Sequence, residues 1–225
     1  MGQYDALFQP LRIKNVTIRN RIMSTSHAPA YGENGMPGER YQAYHEEKAK
    51  GGLGLDMFGG SSTIAIECPP TFGQLSVAED RVIPYLQQMA ERIHRHGAAT
   101  FCQISHSGRR TRWDRGNWLA PVAPSAIREP EHRPFPKEME DWDFDRIRSY
   151  FGEAARRVKA GGLDGVELLY AGAHLMLQFW SPSANTRTDN YGGSLENRMR
   201  FGFEVLEEVR AQVGQDFIIG VRITS

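Results

Sequence analysis

The sequence predicts an α/β fold built on a parallel sheet. Short apolar runs alternate with amphipathic segments, strand then helix, four times before a fifth strand begins. That alternation is the pattern of strands joined by crossover helices. A second observation is where the polar, chemically rich stretches fall. They follow the C-terminal ends of the strands, where barrel enzymes keep their sites. A third is that no GxGxxG follows the first strand, which removes the usual support for a dinucleotide-binding open sheet. On the residues alone two closures remain: an open doubly wound sheet complete at five strands, and the first part of a TIM barrel.

Each element has its own warrant. Leu11 to Met23 reads as a short hairpin leading into a first strand, with Asn15 as turn residue, and the strand ends at Ser24-Thr25-Ser26-His27. Three glycines and a proline make residues 32–38 a loop. A polar helix is predicted from Glu39 to Lys50, stopped by Gly51-Gly52. An apolar second strand covers Leu53 to Gly59. Asp80 is placed to cap the next helix, whose Ile83, Leu86, Ala90 and Ile93 recur at spacings of three and four. Gly97 ends that helix and Ala98 to Ile104 form the third strand. A Pro-rich excursion, Leu119 to Pro136, precedes a helix from Asp143 with Phe144, Ile147, Phe151, Ala154 and Val158 on one face. Gly161-Gly162 close it before a fourth strand at Val166 to Leu169. A long loop leads to Ser194, a natural N-cap. The helix it starts is expected to bury Met199, Phe203, Leu206, Val209 and Val213. Gly214 ends it, and Phe217 to Ile223 form the fifth strand.

The 225 residues carry 27 basic and 27 acidic side chains, enough length for one domain with a sizeable core and no charge excess to attract nucleic acid or an anionic membrane. No apolar run approaches a membrane span, and the N-terminus has no signal-peptide pattern. Cys68 and Cys102 are far apart and form no CxxC, so two reduced thiols in a cytoplasmic protein are expected, with no metal site and no local iron–sulfur ligand set.

The loop after the fourth strand is too long and too specific in composition for a plain connector. Its Ser181-Pro182-Ser183-Ala184-Asn185-Thr186-Arg187-Thr188-Asp189-Asn190-Tyr191-Gly192-Gly193-Ser194-Leu195-Glu196-Asn197-Arg198 resembles a signature of the old yellow enzyme superfamily of FMN-dependent oxidoreductases. His106-Ser107-Gly108-Arg109 is similar to a second signature. The resemblance implies an FMN-type TIM (β/α)8 barrel, truncated after the fifth strand, with residues 1–225 as the N-terminal part of a single FMN-binding barrel domain. It covers nearly the whole chain. The phosphate grip of such a barrel comes from its seventh and eighth strands, and a bare fifth strand leaves an unpaired apolar edge.

Site residues carry over motif by motif. Asn20-Arg21-Ile22-Met23-Ser24-Thr25-Ser26-His27-Ala28 is similar to the family's first-strand motif, which implies that Thr25, Ser26 and His27 lie along the flavin. Ala28 stands where the trimethylamine dehydrogenase branch has a flavin-linked cysteine, so the FMN is expected to be non-covalent. Gly60, after the second strand, would let the backbone approach a ligand; a plain turn is the alternative. Gln103 ends the third strand, and its amide both donates and accepts, which suits the flavin's pyrimidine edge. Arg222 would stabilise the anionic reduced ring; an arginine in an apolar strand calls for a partner in any case. At the fourth strand the family's enone-binding pair falls on Leu169 and Gly172 and is absent. His174 stands where ene-reductases keep a proton-donating tyrosine and can serve as acid or base. Tyr170 is a phenol beside it and a wall for a cationic ligand. Arg187, Asp189, Glu196 and Arg198 are expected to hold the signature loop.

The Trp113 to Trp118 stretch, Arg133-Pro134-Phe135-Pro136-Lys137 and the His174 to Pro182 run resemble the N-methyl amine demethylase branch, with dimethylglycine and trimethylamine dehydrogenase relatives. That branch passes a hydride from an N-methyl carbon to the flavin, and the resulting iminium hydrolyses. Trp180, Tyr170 and Trp113 would line an aromatic mouth; core packing is the plain alternative. The alternatives in function are an NAD(P)H-dependent ene-reductase and an inactive barrel fragment needing a complementary chain. The resemblance allows NAD(P)H as electron donor, iron–sulfur only in a further C-terminal part, and a homo-oligomer or electron-transfer partner beside the small-molecule substrate.

Overall fold

A computed structural model describes residues 2–71, 73–112, 119–131 and 133–224. The first two strands, β1 (Leu11–Ile13) and β2 (Val16–Ile18), pair antiparallel around Lys14, which takes the left-handed conformation the tight turn needs (φ 51°). A five-stranded parallel sheet follows: β3 (Met23–Ser24), β4 (Leu55–Thr63), β5 (Ala99–Ser105), β8 (Gly165–Tyr170) and β9 (Ile218–Ile223), in that spatial order. Each strand is added on the same side of its predecessor. A doubly wound sheet needs a point where strand order reverses. None occurs among these strands, so the sheet is the wall of a barrel, and the choice left open by the residues is settled.

The helices α1 (Glu39–Lys50), α2 (Ile83–His94), α3 (Asp141–Ala160) and α5 (Leu195–Val213) are the crossovers. Strand alternation sends Phe58, Cys102, Ile104, Val166, Leu168 and Tyr170 into the core shared with these helices. The opposite, inner face starts with an apolar layer of Met57, Phe101 and Ile218, onto which the hairpin packs Ile18. Above it Gln103, Glu167 and Gly220 share a register level, and Leu169 and Arg222 the next. Two short strands, β6 (Val122–Ala123) and β7 (Lys137–Glu138), pair in the excursion after β5.

Four details differ from the sequence expectation. The second strand does not stop at Gly59-Gly60: β4 runs on to Thr63, with a register shift between Phe58 and Ser62 that absorbs Gly59, Gly60 and Ser61, all at positive φ. Asp80 makes no side-chain cap; it opens a 3-10 turn, Asp80–Val82, and its carboxylate takes Arg156 and Arg157 of α3. On α5 the buried stripe is Phe201, Val205, Val209 and Val213, while Phe203 is 56% exposed. Phe201 wins because its ring meets Phe144 and Phe179, each with centroids 5.0 Å away. Finally, a short helix, α4 (Leu175–Trp180), occupies the start of the signature loop.

One ion pair makes stability depend on pH. At the base of the sheet, Asp164 Oδ2 accepts from Thr100 N and pairs with His94 Nε2, both at 2.8 Å. The hydrogen bond to Asp164 holds the His94 pKa above its ordinary 6.5, against some desolvation. A raised folded-state pKa means the pair's stabilisation is complete below about pH 6.5 and is lost as pH rises through the raised value. The pair's contribution to the thermal midpoint should therefore decline from pH 6 to 8, against the rise given by His45, His106 and His174, whose burial lowers their pKa. The excess of the native midpoint over that of His94→Gln should shrink across that range; an excess that stays constant in a thermal scan series would exclude the pair as its source.

Candidate active site

The polar groups of the inner face gather where strands end. Gln103, on β5, is buried, and both ends of its amide are engaged. Its Nε2 donates to Glu167 Oε1 at 2.6 Å and its Oε1 accepts from Ser61 N at 2.9 Å. Among the described residues one N–H and one lone pair of this amide remain unused. Burial raises the Glu167 pKa, opposed by the Gln103 hydrogen bond, the Arg222 charge and the Ser26 hydroxyl. That hydroxyl lies beside the carboxylate but makes no well-formed hydrogen bond among the described residues. Arg222 is exposed and has no hydrogen bond or ion pair among the described residues.

His174 caps α4 and joins two strand ends. Its Nδ1 lies 2.6 Å from Ser105 Oγ and its Nε2 lies 3.4 Å from Ser61 Oγ. Burial pushes its pKa down to about 4, and the nearby charges of Arg110 and His106 act in the same direction. The imidazole is therefore neutral at ordinary pH.

The first-strand residues divide. Thr25 is exposed and Ser26 half-buried above β3. The His27 ring instead reaches α1, sharing a 2.9 Å hydrogen bond with Tyr44 OH and packing edge-on against that ring. Gly60 lies against the end of the first strand. A Cβ there would overlap the His27 carbonyl carbon and the Ala28 nitrogen, so the close approach the glycine permits includes that of the first-strand end.

Tyr170 is a correction. It alternates out of the inner face: its side chain is in the helix-side core, 1% exposed, and its hydroxyl donates to Gly202 O of α5 at 2.7 Å. The Trp180 ring stands edge-on to it, 5.6 Å away. These two aromatics are packing, not a wall of the mouth, and the Trp113 to Trp118 stretch lies outside the described residues.

The two sequence signatures act on each other. Gln178 of α4 accepts from Arg109 N at 3.0 Å and donates to Ser107 O and Ala173 O, at 2.9 and 2.7 Å. Gly108 (φ 58°) lets this amide in: a Cβ there would stand 2.8 Å from Gln178 Cδ. In the loop after α4, Arg187 donates to Pro124 O and Met139 O and pairs with Asp189, while Asn185 donates to Phe179 O and Tyr191 O. Arg198 holds Trp180 O. Ser194 is the N-cap, accepting from Asn197 N. This loop is scaffold, as expected of Arg187, Asp189 and Arg198; Glu196 is exposed in the first turn of α5 and makes no hydrogen bond or ion pair among the described residues.

Sequence reasoning missed Ser61, Ser105, Glu167 and the staple at Gln178. Glu167 carried a usable signal. A charge in an apolar parallel strand asks for a partner, at Glu167 as at Arg222.

The inner face suits a flavin's pyrimidine edge, which needs a donor, an acceptor and a cation near N1. The spare valences of Gln103, the unpaired Arg222 and the Ser26 hydroxyl supply those types. Among the described residues no group of His, Cys, Asp or Glu could hold a metal ion, and no helix is long and apolar enough to cross a membrane.

Comparison with known proteins agrees with this chemistry. The chain is 52% identical over 221 residues to a probable N-methylproline demethylase of Rhizobium meliloti (strain 1021), covering 98% of this chain and 32% of that protein. It is 51% identical over 218 residues to a multifunctional alkene reductase/demethylase of Caballeronia cordobensis, covering 97% and 32%. Among solved structures, histamine dehydrogenase from Rhizobium sp. 4-9 superposes with a TM-score of 0.89 at 31% identity, over 99% of this chain and 32% of that one. The chain thus spans about a third of the length of the curated relatives it matches. Residues 6–225 match the NADH:flavin oxidoreductase / NADH oxidase family, whose cofactor is FMN, and the chain belongs to that family.

Proposed function

We propose that the protein oxidatively demethylates an N-methylated amine or amino acid, with Thr25, Ser26, Gln103 and Arg222 contacting FMN and His174 facing the substrate. Bound FMN supplies the hydride acceptor. The observation that carries the reading is the neutral His174. Oxidation of an amine needs its nitrogen lone pair, so the neighbouring base must not arrive protonated. With a pKa pushed down to about 4, His174 stays neutral across the neutral range and sets no positive charge against the amine nitrogen. The same value makes it a poor proton donor, which disfavours the role of the ene-reductase tyrosine. Ser105 and Ser61 hold the ring by its two nitrogens. The printed names of the relatives, a demethylase and an alkene reductase/demethylase, support a demethylase and keep alkene reduction as the second reading.

The test is anaerobic bleaching of the flavin-loaded protein. N-methylproline should reduce the flavin, and His174→Ala should slow that reduction about 10²-fold without releasing flavin. The rate should show no inflection from His174 near pH 6.5. Reduction by NAD(P)H with reoxidation by an enone, and none by N-methylated amines, would replace the first reading with the second.

A further inference from the structure

Glu167 stands out as a charge for which the proposed chemistry has no use. It occupies the middle level of the inner face, directly above the apolar layer of Met57, Phe101 and Ile218, and level with Gln103. The site would bind a neutral ring more simply with an apolar side chain there, because burying a carboxylate is costly unless it is paired. Three groups converge on it instead: the Gln103 amide at 2.6 Å, the Ser26 hydroxyl and the Arg222 charge.

The first contact decides which way Gln103 faces. A carboxylate accepts and a backbone N–H donates. With Glu167 on one side and Ser61 N on the other, the Gln103 amide has a single orientation, Nε2 toward β8 and Oε1 toward the β4 bulge. A reversed amide would set its oxygen against the carboxylate and its NH2 against an N–H. The second consequence is electrostatic. Arg222 is the cation of the inner face, and Glu167 is an anion within its field. The two make no direct ion pair among the described residues, so the interaction acts through space and is partly screened at the exposed guanidinium.

We propose that Glu167 is a positioning residue for the flavin: it fixes the Gln103 amide and offsets the field of Arg222, so that the pair rather than the arginine alone sets the flavin's electron affinity. This rests on the flavin site described above and goes beyond it. Glu167 touches neither the reacting carbon nor the hydride, so its effect belongs in the reduction potential and in flavin affinity rather than in a proton transfer.

The experiment is anaerobic spectroelectrochemistry of the flavin-loaded protein, with FMN dissociation constants measured alongside. Glu167→Gln keeps an acceptor for Gln103 and removes the charge. It should favour reduced flavin by about tenfold or more in the two-electron equilibrium, about +30 mV or more, with FMN affinity changed less than about threefold. Glu167→Leu removes the acceptor too and should also weaken FMN by about tenfold. Arg222→Met should shift the equilibrium the opposite way. If Arg222→Met lowers the potential while Glu167→Gln stays within twofold of the native protein, the assignment of Glu167 fails and the flavin site stands. If neither substitution changes potential or affinity, the flavin does not lie on this face, and both readings fall together.

Discussion

Replacing Gly60 with alanine should cost about 3–5 kcal/mol, the sum of a left-handed backbone without glycine and an overlap that cannot relax. The added Cβ would enter the space of the His27 carbonyl and the Ala28 nitrogen, backbone atoms fixed by their own chain, with φ at 48°. In a chain of this length about 4 kcal/mol lowers the thermal midpoint by roughly 8–16 °C. Gly193→Ala is the control. Its φ is 75°, but nothing lies within 4 Å of the added carbon, so it should show the strain alone, about 1–2 kcal/mol. Similar losses in the two variants would mean that the β4 bulge and the end of β3 are not in contact as described.

Arg187→Met should be nearly as damaging, by about 3–5 kcal/mol, because it removes a buried charge and strands its partners. The guanidinium side chain is 9% exposed. It donates to Met139 O at 2.8 Å and Pro124 O at 3.0 Å, pairs with Asp189 through Nε at 3.0 Å, and lies over the Phe144 ring, 5.3 Å from its centroid. Methionine fills the volume but leaves two carbonyls without a donor. Lysine should recover less than half of the loss, since one ammonium cannot span the two carbonyls and the carboxylate. Urea midpoints give the size of the effect. Limited proteolysis locates it: new cleavage should appear between Ser181 and Ser194, and cleavage elsewhere would place the role of Arg187 outside this loop.

How far the sequence reached differs from residue to residue, for physical reasons. Strand and helix order, both limits of α1 and the Ser194 cap were legible because glycine stops, capping side chains and apolar spacing are local properties. The barrel wall needed more: alternating elements leave closure open, and the strand order decides it. Faces were the weak point. Tyr170 was read as part of the mouth, but a strand has a period of two, so one position separates the mouth from the helix core. Phe203 gave way to Phe201 because a pattern of spacings defines a stripe without saying which neighbouring stripe finds the partner rings. The Gly60 motif marked a close approach but not what approaches, and α4 was hidden inside a loop by being only six residues long.

The Gln178 staple has a mechanical consequence. Its amide joins Ser107 and Arg109 after the third strand to Ala173 after the fourth. Those two rims of the mouth are thereby latched into one piece, with His174 riding on the seam. Neither rim can tilt toward a larger guest without breaking bonds to the other. Enlarging the opening by redesign would therefore start at the α4 latch, together with the His106–Leu175, Arg110–Gly172 and Ser105–His174 hydrogen bonds that cross the same seam, rather than at the side chains that meet the guest.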